Sequence, residues 1–450
     1  MREKRGRSIA AALFVLCLAV LGSNCANRAA IEEPVAPRFR NLIVVLIDTL
    51  RADSLGTYGS EHNLLPYLSS LAAEGVQLQG YAASSWTRSS IATLLTGLYP
   101  QRHQVVGRSD ALGIRPPFLP ELLQQRGFQT AAIVTNGNVS QLFGFDRGFD
   151  QFELELGQGK PDAALTVDRA LRVASGLNSP FFFYVHFIDP HTPYVPTSVV
   201  DRPDLSRADY IQPQQLLNGD LEFSDSNVAQ LRAQYDAEIR EMDLQLQRLM
   251  LELARQDLLH DTLVVFTADH GEEFNEHGGL AHGFTLYEEV LRVPMILWAQ
   301  SGLGPLRPAT AFHQVDFAPT MLEALGIDLP SGIDGRSAWQ SIWSGEDPDS
   351  ERLLFHLDMD GYRLEALITP PMKLIREIDS LDIEVYDLES DPGEISNQAT
   401  NQAAVGKLES RLGTLRLELE DSSYTAETAI LTHNIKQQLE ALGYLGNDDP

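Results

Sequence analysis

The sequence predicts an α/β fold, a three-layer α/β/α sandwich with a mostly parallel central sheet and a small C-terminal α+β subdomain. Short apolar runs rich in β-branched and aromatic residues are typical of strands buried on both faces of a sheet. They alternate with longer amphipathic stretches, as expected for helices that cover such a sheet. The strand candidates are residues 41–47, 128–134, 181–187, 262–267 and 293–298, and the helix candidates are residues 64–74 and 227–256.

The sequence pattern changes after residue 345. Short alternating segments at residues 364–368 and 373–375 indicate a small antiparallel sheet, and apolar residues recur at helical spacing over residues 402–420. We therefore divide the body into a main domain at residues 41–345 and a C-terminal subdomain with a helical tail at residues 346–450. The tail segment 437–445 has an apolar face, which packs either on the body of the protein or on a partner.

The first 26 residues have the features of a signal peptide. A basic start precedes an apolar run at residues 9–22, which is short for a membrane-spanning helix but has the length of a signal-peptide core. An uncleaved anchor is the alternative, and lipid attachment at Cys25 is another, although Asn24 fits a lipoprotein signal poorly. Residues 27–40 read as a linker. We expect an exported protein, periplasmic or at the cell surface, with membrane contact only through a lipid anchor at Cys25.

Composition excludes several classes of function. Cys17 and Cys25 both lie in the leader, so the body has no disulfide, cysteine metal site or thiol nucleophile. The chain has 34 basic and 62 acidic residues, a formal net charge of −28. Because such a surface repels phosphate backbones, we expect no nucleic-acid partner. An anionic substrate would need a site made locally positive.

Polar residues that bind metals follow several of the predicted strands. Asp48 follows residues 41–47, His191 follows residues 181–187, and Asp269 and His270 follow residues 262–267. Ligands of open α/β sheets bind beyond the carboxyl ends of the strands. A single polar residue there is more often a loop residue or a helix cap. Four together favour a ligand site.

A loop enters a helix near Thr87, within the segment 85–97. The start of a helix carries free backbone N–H groups and a positive dipole end, which favour an anion. Taken alone, such a segment is more often a Ser/Thr-rich helix cap than an anion site.

The motifs resemble, in order along the chain, those of the sulfatase family of the alkaline phosphatase superfamily. The opening metal-binding strand is matched by Asp48 to Asp53, and the nucleophile motif by Thr87 to Gly97. The segment from His186 to Tyr194 is similar to the catalytic-histidine loop. Later matches are residues 267–272, 276–278, 282–283, 286–294, 316–320 and 386–394. The resemblance covers residues 41–397 and implies the alkaline phosphatase/sulfatase-like fold.

The nucleophile position departs from the family pattern. Sulfatases oxidise a cysteine or serine there to formylglycine, which a threonine cannot become. Ser89 stands where the motif has Pro, Ile91 where it has Arg, and Thr49 where a second aspartate is usual. A threonine phosphate is easier to hydrolyse than a threonine sulfate, because phosphorus accepts an in-line attack by water. The resemblance at Thr87 extends to phosphotransferases such as lipoteichoic acid synthase.

These matches imply a metal-dependent ester hydrolase with a threonine nucleophile, acting on a phosphate monoester or diester or as a phosphotransferase. One divalent metal is expected, manganese, zinc or magnesium before calcium, because the ligands include histidine. The implied ligands are Asp48, Asp269, His270 and the Thr87 oxygen. The substrate is a small anionic ester or a glycan or lipid head group.

The resemblance also implies roles for the other site residues. Thr87 attacks, Arg88 stabilises the transferring group, His191 protonates the leaving oxygen, and His282 binds the anion or handles water. Two alternatives stay open: a sulfatase that works without formylglycine, and a binding protein on a catalytically decayed scaffold.

Overall fold

The computed structural model describes residues 38–60, 63–155, 160–197, 207–308, 311–344, 352–359, 361–420, 423–442 and 444. The predicted signal peptide, Cys25 and most of the linker lie outside the described residues. The described residues belong to one compact unit. Within them, no helix combines the length and the apolar character that crossing a membrane requires.

The fold is organised around an eight-stranded sheet. Its strands are β1 (Asn41–Ile47), β2 (Val76–Tyr81), β4 (Gln129–Val134), β5 (Gln151–Leu154), β6 (Phe181–Phe187), β7 (Thr262–Thr267), β10 (Arg292–Trp298) and β11 (Ala311–His313). The order across the sheet is β11-β2-β10-β7-β1-β6-β4-β5. Only β10 runs antiparallel to its neighbours, so the predicted mostly parallel sheet is confirmed.

Strand β1 lies at the centre of this sheet and is buried along its whole length. It pairs in parallel with β6 on one side and with β7 on the other. All five predicted strands are present, each within one residue of its predicted ends. Strand β2 was not predicted, because polar residues alternate with its apolar ones and it is therefore not a continuous apolar run.

Two groups of helices cover the sheet and complete the predicted three layers. The helices of the main domain are α1 (Pro66–Glu74), α2 (Thr87–Thr96), α3 (Pro100–His103), α4 (Leu119–Gln125), α5 (Ala163–Ala174), α6 (Pro213–Leu217), α7 (Asp225–Arg255), α8 (Glu288–Leu291), α9 (Phe317–Ala324) and α10 (Trp339–Ser344). Helices α1 and α5 pack on the long helix α7, whereas α2 packs with α4 and α9.

The C-terminal subdomain has the predicted antiparallel sheet. Strands β12 (Leu353–Met359), β13 (Tyr362–Thr369), β14 (Met372–Glu377) and β15 (Ile383–Asp387) form a meander, and helix α11 (Gln402–Glu420) packs on it. The buried leucines of α11 meet those of the sheet in one core, which also includes Tyr99 and Val315 of the main domain.

The tail packs on the main domain. Of the two alternatives left open for its apolar face, the body of the protein and a partner, the structure shows the first. Strand β16 (Glu427–Thr428) pairs with β3 (Asp110–Ala111), and helix α12 (His433–Ala441) follows it. A separate short hairpin joins β8 (Glu273–Phe274) to β9 (Leu280–Ala281).

A buried ion pair joins the subdomain to the main domain. Lys373 Nζ on β14 lies 3.1 Å from Glu288 on α8 and 2.8 Å from Glu394, and its side chain is fully buried. Replacing Lys373 by Met would leave two buried carboxylates without their cation. We expect a loss of about 3 kcal/mol in the free energy of unfolding, measured by urea denaturation. Arg363→Met, at an exposed ion pair on β13, serves as the control and should change the midpoint little. Equal effects of the two variants would contradict the prediction.

Candidate metal-binding active site

Asp48 is held rigidly at the end of β1. Its backbone N–H donates to Phe187 O (2.9 Å), and its Oδ2 accepts from Asn136 Nδ2 (2.7 Å) and faces His186 Nε2 (3.2 Å). The Oδ1 atom is buried and accepts no hydrogen bond within the described part of the chain. Burial raises the pKa of this carboxyl to about 6.

The next residue, Thr49, has a strained backbone conformation. Its φ is 57°, in the left-handed region that a β-branched residue rarely adopts. This conformation directs its N–H to Asp269 Oδ1 (3.1 Å), while its carbonyl accepts from Tyr235 Oη (2.8 Å). Thr49 thus ties the end of β1 to the end of β7 through its backbone, where the family pattern has a carboxylate.

Asp269 and His270 end β7 and are both fully buried. Asp269 Oδ1 accepts from the N–H of Thr49 and of His270, whereas Oδ2 has no hydrogen-bond donor among the described residues. His270 Nδ1 lies 2.9 Å from Gly271 O, so the proton is on Nδ1 and Nε2 is free to bind. A side chain at Gly271 would collide with Glu289 O, at 2.0 Å from an added Cβ.

Asp48, Asp269 and His270 form a group that fits a divalent metal. One ligand atom from each lies within 4.8 Å of the others. Two of the carboxylate oxygens there are buried and unbonded, which is costly for the protein alone and favourable for binding a cation. Two carboxylates and an imidazole are suitable ligands for manganese, zinc or magnesium.

Thr87 faces this group from the first position of α2. Its Oγ1 lies 3.2 Å from His270 Nε2 and 3.0 Å from Tyr444 Oη, and the side chain is fully buried. Trp86 precedes it in an extended conformation and supplies no side-chain cap. The first N–H groups of the helix therefore have no capping side chain from Trp86, as in anion sites.

Two histidines complete the cluster. The rings of His191 and His282 are 4.9 Å apart, and His282 lies 4.3 Å from the ring of His270. His191 Nδ1 contacts Thr192 O, and its Nε2 is buried without a partner among the described residues. Burial lowers the pKa of His191 well below 6.5, and the neighbouring His282 adds to this.

His282 is held by a carboxyl group. Its Nδ1 lies 2.7 Å from Glu272 Oε1, and Glu272 Oε2 accepts from Tyr194 Oη (2.8 Å). Burial lowers the pKa of His282 to about 4 and raises that of Glu272 to about 8. Glu272 thus orients the ring through Nδ1 and leaves its Nε2 edge for the site.

Arg88 makes its hydrogen bonds to a neighbouring loop, and its sequence-based role in stabilising the transferring group stays a prediction. Its Nη1 donates to Arg108 O (2.6 Å), Gly107 O and Asp110 O, and its Nη2 donates to Asn138 Oδ1 (2.7 Å). The guanidinium also stacks on Phe143, 3.3 Å from the ring centre. These contacts let Arg88 hold the 107–110 loop, while its buried Nε has no hydrogen-bond partner among the described residues.

The structure adds three residues that the sequence analysis did not select: Asn136, Glu272 and Tyr444. Asn136 follows β4, so the rule that gave Asp48 and Asp269 could also have found it. Glu272 lies two residues after His270 and was noted only as part of a motif. Tyr444 is separated from Thr87 by 357 residues and no local pattern indicates its position.

Family models support the resemblance over most of the chain. The model described as Sulfatase matches residues 40–327, which contain every predicted site residue. A second model, described as the C-terminal region of N-sulphoglucosamine sulphohydrolase, matches residues 275–419.

Individual relatives agree with this assignment. The chain is 29% identical over 318 residues to the low-salt glycan biosynthesis sulfotransferase of Haloferax volcanii, covering 70% of this chain and 66% of that protein. A structure solved with its substrate D-glucosamine-2-N,6-O-disulfate has a TM-score of 0.73 and 21% identity, over 85% of this chain and 99% of that one. The phosphonate monoester hydrolase of Agrobacterium radiobacter has a TM-score of 0.70 and 19% identity, over 84% and 96%.

The fold, the order of the motifs and the family model over residues 40–327 lead to one assignment. The chain belongs to the sulfatase family, and it is an enzyme of the hydrolase or transferase type that acts on ester bonds.

Proposed function

We propose that the protein is a metal-dependent phosphoester hydrolase or phosphotransferase in which Thr87 is the nucleophile. The supporting observation is the position of Thr87 Oγ1, 3.2 Å from His270 Nε2 at the start of α2. A hydroxyl at this place is next to the free carboxylate oxygens of Asp48 and Asp269 and next to helix N–H groups suited to an anion. The side chain excludes formylglycine chemistry, because the aldehyde cannot be made from threonine.

The proposed metal site uses Asp48, Asp269 and His270, with the Thr87 oxygen close enough to join them. A divalent ion bound there supplies positive charge that offsets the charge of the transferring group and lowers the pKa of a nearby hydroxyl. Because one ligand is an imidazole nitrogen, manganese, zinc or magnesium is favoured over calcium.

In the first step Thr87 Oγ1 gives its hydroxyl proton to water and attacks phosphorus, and the bond from phosphorus to the leaving oxygen breaks. The electron pair of that bond goes to the leaving oxygen, which must take up a proton. We assign this proton transfer to His191, whose Nε2 faces the site without another partner in the described structure. A bound anion favours the charged form of a neighbouring imidazole, which opposes the effect of burial on its pKa.

In the second step a water, or an acceptor hydroxyl in a transferase, attacks the phosphothreonine. The bond from phosphorus to Oγ1 breaks, and Thr87 regains its proton. His282 is the residue we assign to this side of the reaction, because Glu272 holds its Nδ1 and the ring lies beside His270. The same ring can bind an oxygen of the anion instead.

A sulfuric ester is the second candidate substrate. Two of the similar proteins are named for sulfate chemistry, one as a sulfotransferase and one solved with a disulfated glucosamine. They favour an anionic glycan as the substrate of this chain. A phosphorus centre remains our first choice because a threonine sulfate has no simple route to release, and one similar structure is a phosphonate monoester hydrolase.

Thr87→Ala tests the nucleophile. We expect kcat/KM to fall on the order of 10³-fold or more, because no other hydroxyl takes over the attack. Thr87→Ser keeps a hydroxyl and should retain a measurable part of the rate. The control is Thr414→Ala, an exposed threonine on α11, which should behave as wild type. Activity of Thr87→Ala within tenfold of wild type would sink the proposed mechanism.

Metal removal tests the cofactor site. Dialysis against a chelator should abolish turnover, and separate addition of manganese, zinc, magnesium and calcium should rank the ions. Asp269→Asn removes a charged ligand, so elemental analysis should find the bound metal lowered from about one ion per chain to a small fraction. Asp379→Asn, at an exposed ion pair, should keep its metal. Full activity after chelation would contradict a metal-dependent reaction.

The substrate is tested by comparing a nitrophenyl phosphodiester with a nitrophenyl sulfate on the metal-loaded protein. We expect kcat/KM for the phosphodiester to be higher on the order of 100-fold, because turnover of a threonine phosphate needs only in-line attack by water. Thr87→Ala measured with both substrates is the control for background hydrolysis. A preference for the sulfate would reverse the choice between the two candidates.

A further inference from the structure

The C-terminal tail places a tyrosine directly on the proposed nucleophile. Tyr444 Oη lies 3.0 Å from Thr87 Oγ1 and 3.2 Å from Asn136 Nδ2. The Tyr444 ring lies 5.0 Å from the ring of His191 and 5.9 Å from that of His282. Tyr444 thus contacts the centre of the cluster, although it lies three residues beyond the end of helix α12.

The direction of each hydrogen bond around Tyr444 follows from its neighbours. Asn136 Oδ1 accepts from the N–H of Asn138 (2.9 Å), which fixes the orientation of the Asn136 amide. Its Nδ2 therefore donates, to Asp48 Oδ2 (2.7 Å) and to Tyr444 Oη. Because Tyr444 Oη accepts this bond, its own hydrogen is available for Thr87.

The contacts of His270, on the other side of Thr87, agree with a hydrogen bond donated by Tyr444 to Thr87. His270 Nδ1 lies 2.9 Å from Gly271 O, a contact that fits a proton on Nδ1, and without a metal Nε2 can then accept from the Thr87 hydroxyl. The lone pairs of Thr87 Oγ1 then receive the hydrogen of Tyr444. Because His270 Nε2 is also the proposed metal-binding atom, the bond from Tyr444 is the one that remains for the Thr87 hydroxyl when a metal is bound.

The tail is attached at several points around this contact. Arg108 Nη1 donates to Tyr444 O, Gln438 Nε2 donates to Thr135 O (3.4 Å), and Leu439 and Leu442 are buried. Gln438 Oε1 approaches Gly137 so closely that an added Cβ would lie 2.3 Å from it. These contacts fasten the tail to the residues that follow β4, next to Asn136.

We propose that Tyr444 is an active-site residue that positions the Thr87 hydroxyl for attack, and that α12, Leu442 and Tyr444 form a wall of the site. The phenol hydroxyl is used in two directed bonds, one accepted from Asn136 and one donated to Thr87, which favours a positioning role. This inference rests on the proposed role of Thr87 as nucleophile.

Tyr444→Phe removes the hydroxyl and keeps the ring. We expect kcat to fall about tenfold with KM within about twofold of wild type, because orientation of the nucleophile affects attack more than substrate binding. The control is Tyr424→Phe, which makes the same change earlier in the C-terminal stretch, where the ring packs on Arg102. We expect its kinetic constants to match wild type.

Unchanged kcat in Tyr444→Phe would overturn the positioning role. A higher rate in Tyr444→Phe or Tyr444→Ala would overturn it too, and would identify the side chain as an obstruction to substrate. If Thr87→Ala is inactive while Tyr444→Phe is normal, only this inference fails. If Thr87→Ala is active, the proposed function itself fails.

A measurement without turnover tests the placement separately. Tyr444 is 8% exposed and Tyr362 is 46% exposed, so tetranitromethane should nitrate Tyr444 more slowly, on the order of tenfold, as located by mass spectrometry. Equal nitration of the two tyrosines would overturn the placement. If the wild-type protein turned over neither ester, slow nitration would still support Tyr444 as a wall of the site, while the proposed function would fail.

Discussion

Two carboxylates buried side by side are the constraint on which this site depends. Asp48 and Asp269 are both inaccessible to solvent, and burial raises the pKa of each, with the charge of Asp48 adding to the effect on Asp269. Backbone and amide donors satisfy one oxygen of each group and leave the other unbonded. Holding two such carboxylates costs free energy in the protein alone. A bound cation would make the same arrangement favourable.

The sheet brings these groups together through strand register. Leu46 of β1 pairs with Thr267 of β7, so that the second residue beyond each, Asp48 and Asp269, reaches the same level at the carboxyl edge. Thr49 then turns into the left-handed region and closes the link to Asp269, at a local cost on the order of 1–2 kcal/mol. The rigidity of the central strands supports this strain, because β1 is buried along its full length.

The parts of the fold that the sequence predicted are those with a strong local signal. Strands buried on both faces, such as β1, β6 and β7, are continuous apolar runs, and residues at their ends fall at one edge. The orientation of β10 has no such signal, because an apolar run does not encode its direction. The contacts of Arg88 also have no local signal, because its neighbours in sequence do not show that its guanidinium binds loop carbonyls. The position of Tyr444 beside Thr87 depends on the path of the chain between them, and no local pattern encodes it.

The acidic chain and an anionic substrate are compatible only if positive potential is local. Two cations near the site already pair with carboxylates of the protein. Arg51 pairs with Asp53 and Glu276, and Lys160 pairs with Asp189 and Glu238. Attraction of the anion then falls to helix N–H groups at Thr87 and to an ion bound by Asp48, Asp269 and His270. Because the surface repels anions at longer range, recognition is confined to contact distance. We therefore expect the proposed preference for an ester anion to be a property of the metal-loaded site, and not of the surface.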